Sequence, residues 1–105
     1  MASETFKLPE WDTGPLNLFL KRIFPLYISP YQRLDVQRLR ADIVPRKSHE
    51  AVYKWLRNSR LTPENAHALR NLANTPLNIA ARGGSSVVLH DFDEFVYPTA
   101  ASPFL

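Results

Sequence analysis

The sequence predicts an all-α protein, a compact bundle of about five helices followed by a short C-terminal tail. Two observations lead to this prediction. Apolar residues recur at helical spacing in successive segments, and proline or a capping residue stands at the start of most of these segments. The 105 residues, of which 45% are hydrophobic, can bury one core and are too few for two. We therefore divide the chain into an N-terminal arm (1–13), one helical domain (14–84) and a tail (85–105).

The first two helices are bounded by proline residues. The first begins at Pro15, since proline suits a first helical turn, and Pro25 ends it. Its apolar residues recur at positions i, i+3, i+4, i+7 and i+8, namely Leu16, Phe19, Leu20, Ile23 and Phe24. The second begins after Asp35, a good N-cap. Because the residue before Pro45 avoids the α region, this helix is short and stops near Ile43.

The third helix has an apolar face and a continuous polar face, and Ser48 is its N-cap. The residues turned to the core are Val52, Trp55 and Leu56. The opposite stripe, at positions i, i+3, i+4 and i+7, consists of Glu50, Tyr53, Lys54 and Arg57. We expect this stripe to face solvent, where a partner can reach it.

The fourth and fifth helices each begin with a Thr-Pro pair, which supplies a cap and a first-turn proline. The fourth starts at Thr62, and its inward residues are Ala66, Leu69, Leu72 and Ala73. The fifth is a short segment after Thr75 that Gly83 and Gly84 terminate.

The tail is apolar, and its only charges are acidic. Residues 85–89 suit either one strand or an extended linker, and residues 91–94 resemble a capping box before a last helical turn or two. The apolar side chains of the tail are Val87, Val88, Leu89, Phe92, Phe95, Val96, Tyr97 and Phe104. Three alternatives are open: packing on the domain, pairing with a second copy, or covering another protein.

A short helix, a turn and a capped helix with a polar outer face form the sequence shape of a helix-turn-helix. Residues 34–73 resemble the phage-repressor (Cro and C1) type. The positions that carry this resemblance are Leu39, Ile43, Ser48, Val52 and Trp55, followed by the helix start Leu61-Thr62-Pro63-Glu64 and by Leu69. The turn departs from the family, which usually has Gly and one apolar residue where this chain has residues 44–47.

The resemblance implies a sequence-specific DNA-binding transcriptional regulator, a repressor that places the helix after Ser48 in the major groove. It also implies a homodimer, because such regulators commonly meet two-fold half-sites as dimers. The tail supports an alternative, a protein-binding module such as an antitoxin or a phage-type adaptor that has kept the same scaffold. In that case a protein partner would bind residues 85–105.

Charge is distributed as a polyanion partner would require. Residues 21–82 contain twelve Lys and Arg against four Asp and Glu, a net charge of +8. The ends are acidic, with −2 in residues 1–20 and −3 in residues 83–105. A basic body with acidic ends favours a polyanion partner more than the overall charge of +3 suggests. The resemblance implies that this partner is double-stranded DNA.

Nine residues are the candidate DNA contacts. Arg46 and Lys47 in the turn and Arg60 after the third helix suit phosphates, and Arg38 is a further phosphate candidate. The residues at the start and on the outward face of the third helix suit base edges or the adjoining backbone: Ser48, His49, Glu50, Tyr53, Lys54 and Arg57.

Lys54 or Arg57 suits guanine as a donor, and Glu50 suits cytosine N4 as an acceptor. Two of the nine residues have a structural alternative. Glu50 is also a good partner for the positive end of the helix dipole, and Tyr53 can pack over the turn.

Other chemistry has little support in the sequence. Without cysteine there is no disulfide, thiolate zinc site or cysteine nucleophile. His49, His67 and His90 are widely spaced, so we expect no metal site, no cofactor and no enzyme activity. No apolar run reaches the length of about 18 to 20 residues that spans a bilayer. Since the first residues also lack the pattern of a signal peptide, we expect a cytoplasmic protein.

Overall fold

The computed structural model describes residues 14–96, and these residues form six α-helices and two short 3₁₀ helices. The α-helices are α1 (Pro15–Ile23), α2 (Val36–Asp42), α3 (His49–Asn58), α4 (Pro63–Ala73), α5 (Pro76–Ala81) and α6 (Asp93–Val96). The 3₁₀ helices are Pro25–Tyr27 and Leu89–Phe92. Within the described range there is no β-strand, and the predicted all-α class is confirmed. The predicted arm and the last residues of the tail, 97–105, lie outside the described residues.

The predicted caps begin three of these helices. Each cap side chain accepts a hydrogen bond from a backbone N–H three residues further on: Asp35 from Arg38 at 3.2 Å, Ser48 from Ala51 at 3.1 Å and Thr62 from Asn65 at 3.2 Å. The start of α5 is different. The Thr75 hydroxyl donates to the carbonyl of Leu72 at 2.9 Å and therefore ties α5 to the end of α4 rather than capping α5.

The core lies between the predicted apolar faces. Its fully buried aliphatic side chains include Leu16, Leu20, Leu39, Ile43, Val52, Leu56 and Leu69, all of which belong to those faces. Leu72 is an exception and is only half-buried. It lines an open groove with Asp42 and Val44, where the turn after α2 leaves the side of α4 partly uncovered.

The described part of the tail packs into the same core. The buried ring of Phe92 meets Phe19 edge to face at 5.1 Å, and the ring of Phe95 lies 5.4 Å from Phe19. The Asn74 side chain makes two hydrogen bonds of 2.8 Å with the backbone N–H and C=O of Val87. Residues 85–88 are therefore an extended linker and not a strand, and of the three alternatives for the tail these residues show packing on the domain.

Tyr27 fastens α2 to the rest of the bundle. Its hydroxyl donates to Asp42 Oδ2 at 2.6 Å, at the end of α2. The guanidinium of Arg38 lies 5.0 Å from the centre of the Tyr27 ring and donates to the carbonyl of Leu26 at 3.0 Å. Arg38, predicted as a further phosphate contact, is therefore engaged with the protein itself.

Burial and the neighbouring Asp42 carboxylate raise the pKa of Tyr27 above its ordinary value of 10.0. Because the folded-state pKa is the higher one, this phenol contributes stability that is complete below pH 10 and is lost as the pH rises through the folded pKa. We expect Tyr27→Phe to lower the free energy of unfolding by about 1 kcal/mol at pH 7. The difference from wild type should shrink above pH 10.

Urea denaturation at several pH values measures this effect. Tyr31→Phe, at a phenol that is 81% exposed, is the control and should leave stability at pH 7 unchanged. A difference between wild type and Tyr27→Phe that stays constant above pH 10 would contradict this role for the phenol.

Candidate nucleic-acid interface

The predicted helix-turn-helix segment forms two helices joined by residues 43–48, and α2 packs against α3. The turn is held by main-chain and side-chain bonds. The backbone N–H of Lys47 donates to the carbonyl of Arg40 at 3.2 Å. In return, the Arg40 guanidinium donates to the carbonyl of Lys47 at 3.4 Å and to Gln37 Oε1 at 3.2 Å. These bonds connect the last turn of α2 with the start of α3.

The two faces of α3 are as the sequence predicts, except at Tyr53. Val52, Trp55 and Leu56 are buried, whereas Glu50, Lys54 and Arg57 are exposed. Tyr53 differs from the rest of the polar stripe because it is half-buried and packs against the core. Its ring meets the exposed His49 ring at 6.1 Å, nearly perpendicular. This arrangement agrees with the packing alternative for Tyr53.

The two ends of α3 position the remaining candidates. At the first end, the Ser48 Oγ accepts the N–H of Ala51, and its hydroxyl proton remains available to a phosphate. Arg46 is exposed and Lys47 is half-buried beside it. At the other end, Ser59 adopts the left-handed conformation with φ 50° and turns the chain out of the helix. Arg60 follows directly and is exposed.

Two cations lie on the outward face of α3, and three more closely precede or follow the helix. We call them the basic strip: Arg46, Lys47, Lys54, Arg57 and Arg60. Within residues 14–96, no hydrogen bond or ion pair engages the side chains of the basic strip. The ten residues of α3, between the two ends of the strip, extend about 15 Å.

Residues 21–82 contain four acidic side chains, and two of them are engaged by the protein itself. Asp35 caps α2, and Asp42 accepts the Tyr27 hydroxyl. Glu50 is exposed in the first turn of α3, where a carboxylate is also favourable to the helix dipole. Glu64 is exposed in the first turn of α4. The outward face of α3 itself therefore carries one acidic side chain, Glu50, beside Lys54 and Arg57.

An open groove of about 490 Å³ runs beside the second half of α3. Trp55 and Leu61 line it together with the polar side chains of Lys54, Asn58 and Arg60. Two cations of the basic strip therefore stand over one concave surface.

The other candidate groups lie apart from the strip. Within the described part of the chain, no three His, Asp or Glu side chains are grouped so that they could hold a metal ion. Asp91 accepts the backbone N–H of Val88 at 3.1 Å, and Asp93 pairs with His90 at 2.6 Å. These local bonds agree with the interpretation of the acidic cluster as a helix start. Among residues 14–96, no helix has the length and apolar content needed to cross a bilayer.

Arg40 is a further candidate residue that the sequence pattern does not indicate. Its role depends on a contact with Lys47, seven residues later and beyond the end of α2, so helical periodicity gives no signal for it. Comparison with protein-family models, with curated proteins and with solved structures finds no match to this chain.

Proposed function

We propose that this protein is a sequence-specific DNA-binding transcriptional regulator that inserts α3 into the major groove. The observation that carries the proposal is the basic strip, five cations on the outward face and at the two ends of α3 that have no hydrogen bond or ion pair within residues 14–96. Unpaired cations concentrated on one face are the electrostatic footprint expected of a nucleic-acid partner. The resemblance of residues 34–73 to phage repressors supports repression as the mode of action.

The proposal involves two kinds of contact, one with phosphates and one with base edges. Arg46, Lys47 and Arg60 lie at the ends of α3, where they can bind phosphates on either side of a groove. Lys54 and Arg57 lie on the outward face itself, where they can donate to guanine O6 and N7. Phosphate contacts supply affinity and register, and the face residues supply the sequence preference.

A homodimer on a palindromic site belongs to the same proposal, because two copies related by a two-fold axis read two half-sites. The experiment is selection of bound fragments from random duplex DNA. Enrichment of a palindrome supports both sequence-specific binding and dimeric binding. Salt-sensitive binding without any enrichment would contradict the proposal and leave only a non-specific basic surface.

The protein-binding alternative drew its support from the apolar tail. Val87, Phe92 and Phe95 are buried in this chain's own core, so these three side chains present no surface to another protein, whereas Val88 is 54% exposed. DNA binding is therefore the function that the arrangement supports best. Copurification of a stoichiometric protein together with failure to enrich any DNA sequence would favour an antitoxin or adaptor instead.

Alanine variants separate the two kinds of contact. We expect Lys54→Ala and Arg57→Ala each to reduce the preference for the selected site over random DNA, by about 1–3 kcal/mol where the residue makes a bidentate base contact. Lys47→Ala should weaken binding to both DNAs alike and lower the salt dependence. Fluorescence anisotropy on the two duplexes at several salt concentrations measures both quantities.

Arg22→Ala is the control for charge alone. Arg22 is exposed on α1 and lines a different groove with Asp91 and Glu94, so its loss should leave the preference unchanged. If all three strip variants lose the same affinity on both DNAs, α3 is not the reading helix.

A further inference from the structure

Arg40 links the two helices of the helix-turn-helix through its side chain. Its Nε donates to Gln37 Oε1 at 3.2 Å on the same helix, and its Nη1 donates to the carbonyl of Lys47 at 3.4 Å across the turn. The backbone N–H of Lys47 donates back to the carbonyl of Arg40 at 3.2 Å. Three bonds therefore meet at one side chain and its own peptide group.

The location of these bonds matters more than their number. Lys47 immediately precedes Ser48, the N-cap of α3, and Arg46 precedes Lys47. The turn is longer than the pattern that the sequence otherwise resembles, and a longer turn leaves more backbone conformations open. A bond that closes this turn fixes where the first residues of α3 stand relative to α2.

The two bonds at this position favour arginine over lysine. The guanidinium is planar and presents its donors in a fixed fork, so one group can meet the Gln37 amide oxygen and the Lys47 carbonyl together. A lysine ammonium carries the same charge on a flexible stem and has no second nitrogen. Arg40 is also half-buried, in contrast to the exposed Arg46.

We infer that Arg40 is a positioning residue for DNA recognition. It holds the turn between α2 and α3 so that the basic strip meets the groove in one register, and it contributes through this geometry rather than through its charge. The inference rests on the proposed function and adds a specificity-determining residue that does not itself read bases.

The test uses the full chain and a substitution that keeps the charge. We expect Arg40→Lys to reduce the ratio of selected-site to random-DNA affinity by at least about fivefold, the lower limit of one lost bidentate base contact. Binding to random DNA and its salt dependence should remain those of wild type. Arg22→Lys is the matched control and should leave the ratio unchanged, because Arg22 is exposed on α1 and lies outside the basic strip.

A second measurement works on the free protein. Amide hydrogen exchange at Lys47 should become about fivefold faster or more in Arg40→Lys, since the turn then opens more often. Gln37→Leu removes the acceptor that orients the guanidinium without changing the charge. Like Arg40→Lys, it should make amide exchange at Lys47 faster and the ratio of selected-site to random-DNA affinity smaller. It also keeps the test valid if Arg40→Lys fails to fold.

The outcomes separate the inference from the proposed function. An unchanged affinity ratio in Arg40→Lys, or a loss that is equal on both DNAs, would overturn the positioning role and assign Arg40 to a phosphate or to no contact. A wild-type protein that selects no sequence would overturn the proposed function and with it the role in recognition. Exchange at Lys47 would still decide whether Arg40 holds the turn.

Discussion

Phe92→Ala should lower the free energy of unfolding by about 3–5 kcal/mol, which is a large share of the stability of a domain of this size. The ring is fully buried and meets Phe19 edge to face at 5.1 Å. Truncation to alanine would leave a cavity beside Phe19 of α1 and would remove one of the buried apolar contacts between the tail and the helices before it.

Chemical denaturation followed by circular dichroism measures this loss. Val88→Ala is the matched control, because this tail residue is 54% exposed and its truncation should change stability by no more than about 0.5 kcal/mol. Equal stability of the Phe92→Ala and Val88→Ala proteins would show that the tail is not part of the folding core.

Trp55→Ala should cost a similar amount, about 3–5 kcal/mol, for a different reason. Trp55 is only 9% exposed and projects from the inner face of α3, so its loss removes apolar contact from the helix that we propose enters DNA. The variant should also lose its preference for the selected site, since a reading helix without its anchor cannot hold one register.

A thermal melt checks the first part of this prediction, and anisotropy on the selected and random duplexes checks the second. Asn58→Ala is the control on the same helix, because Asn58 is exposed and lines the same groove as Trp55. A Trp55→Ala melt unchanged within error would contradict the assignment of Trp55 to the core.

The helices were predictable because their signals are local. Asp35, Ser48 and Thr62 each bond to a backbone N–H three residues away, and Pro45 restricts only the residue before it. Such interactions are complete within one turn and need no tertiary partner. The start of α5 is an exception. Thr75 is followed by proline, as Thr62 is, and yet its hydroxyl donates to the end of α4 and does not cap α5.

The outward face of α3 was predictable for a related reason. A period of 3.6 residues assigns Val52 and Leu56 to one side and Lys54 and Arg57 to the other, and no contact outside the helix is needed for that assignment. Tyr53 was placed on the polar face by the same period. Its half-buried position depends on neighbouring elements, which the period does not describe.

The sequence by itself therefore determined the helical class, most helix boundaries and the side of α3 that carries the cations. Only the tertiary structure decided that Phe92 completes the core, that Arg38 stacks on Tyr27 and that Arg40 spans the turn. The physical reason is distance along the chain. Caps and periodicity act over three or four residues. Phe92 in the tail contacts the ring of Phe19 on α1, far away along the chain, so the burial of Phe92 depends on how the intervening helices pack.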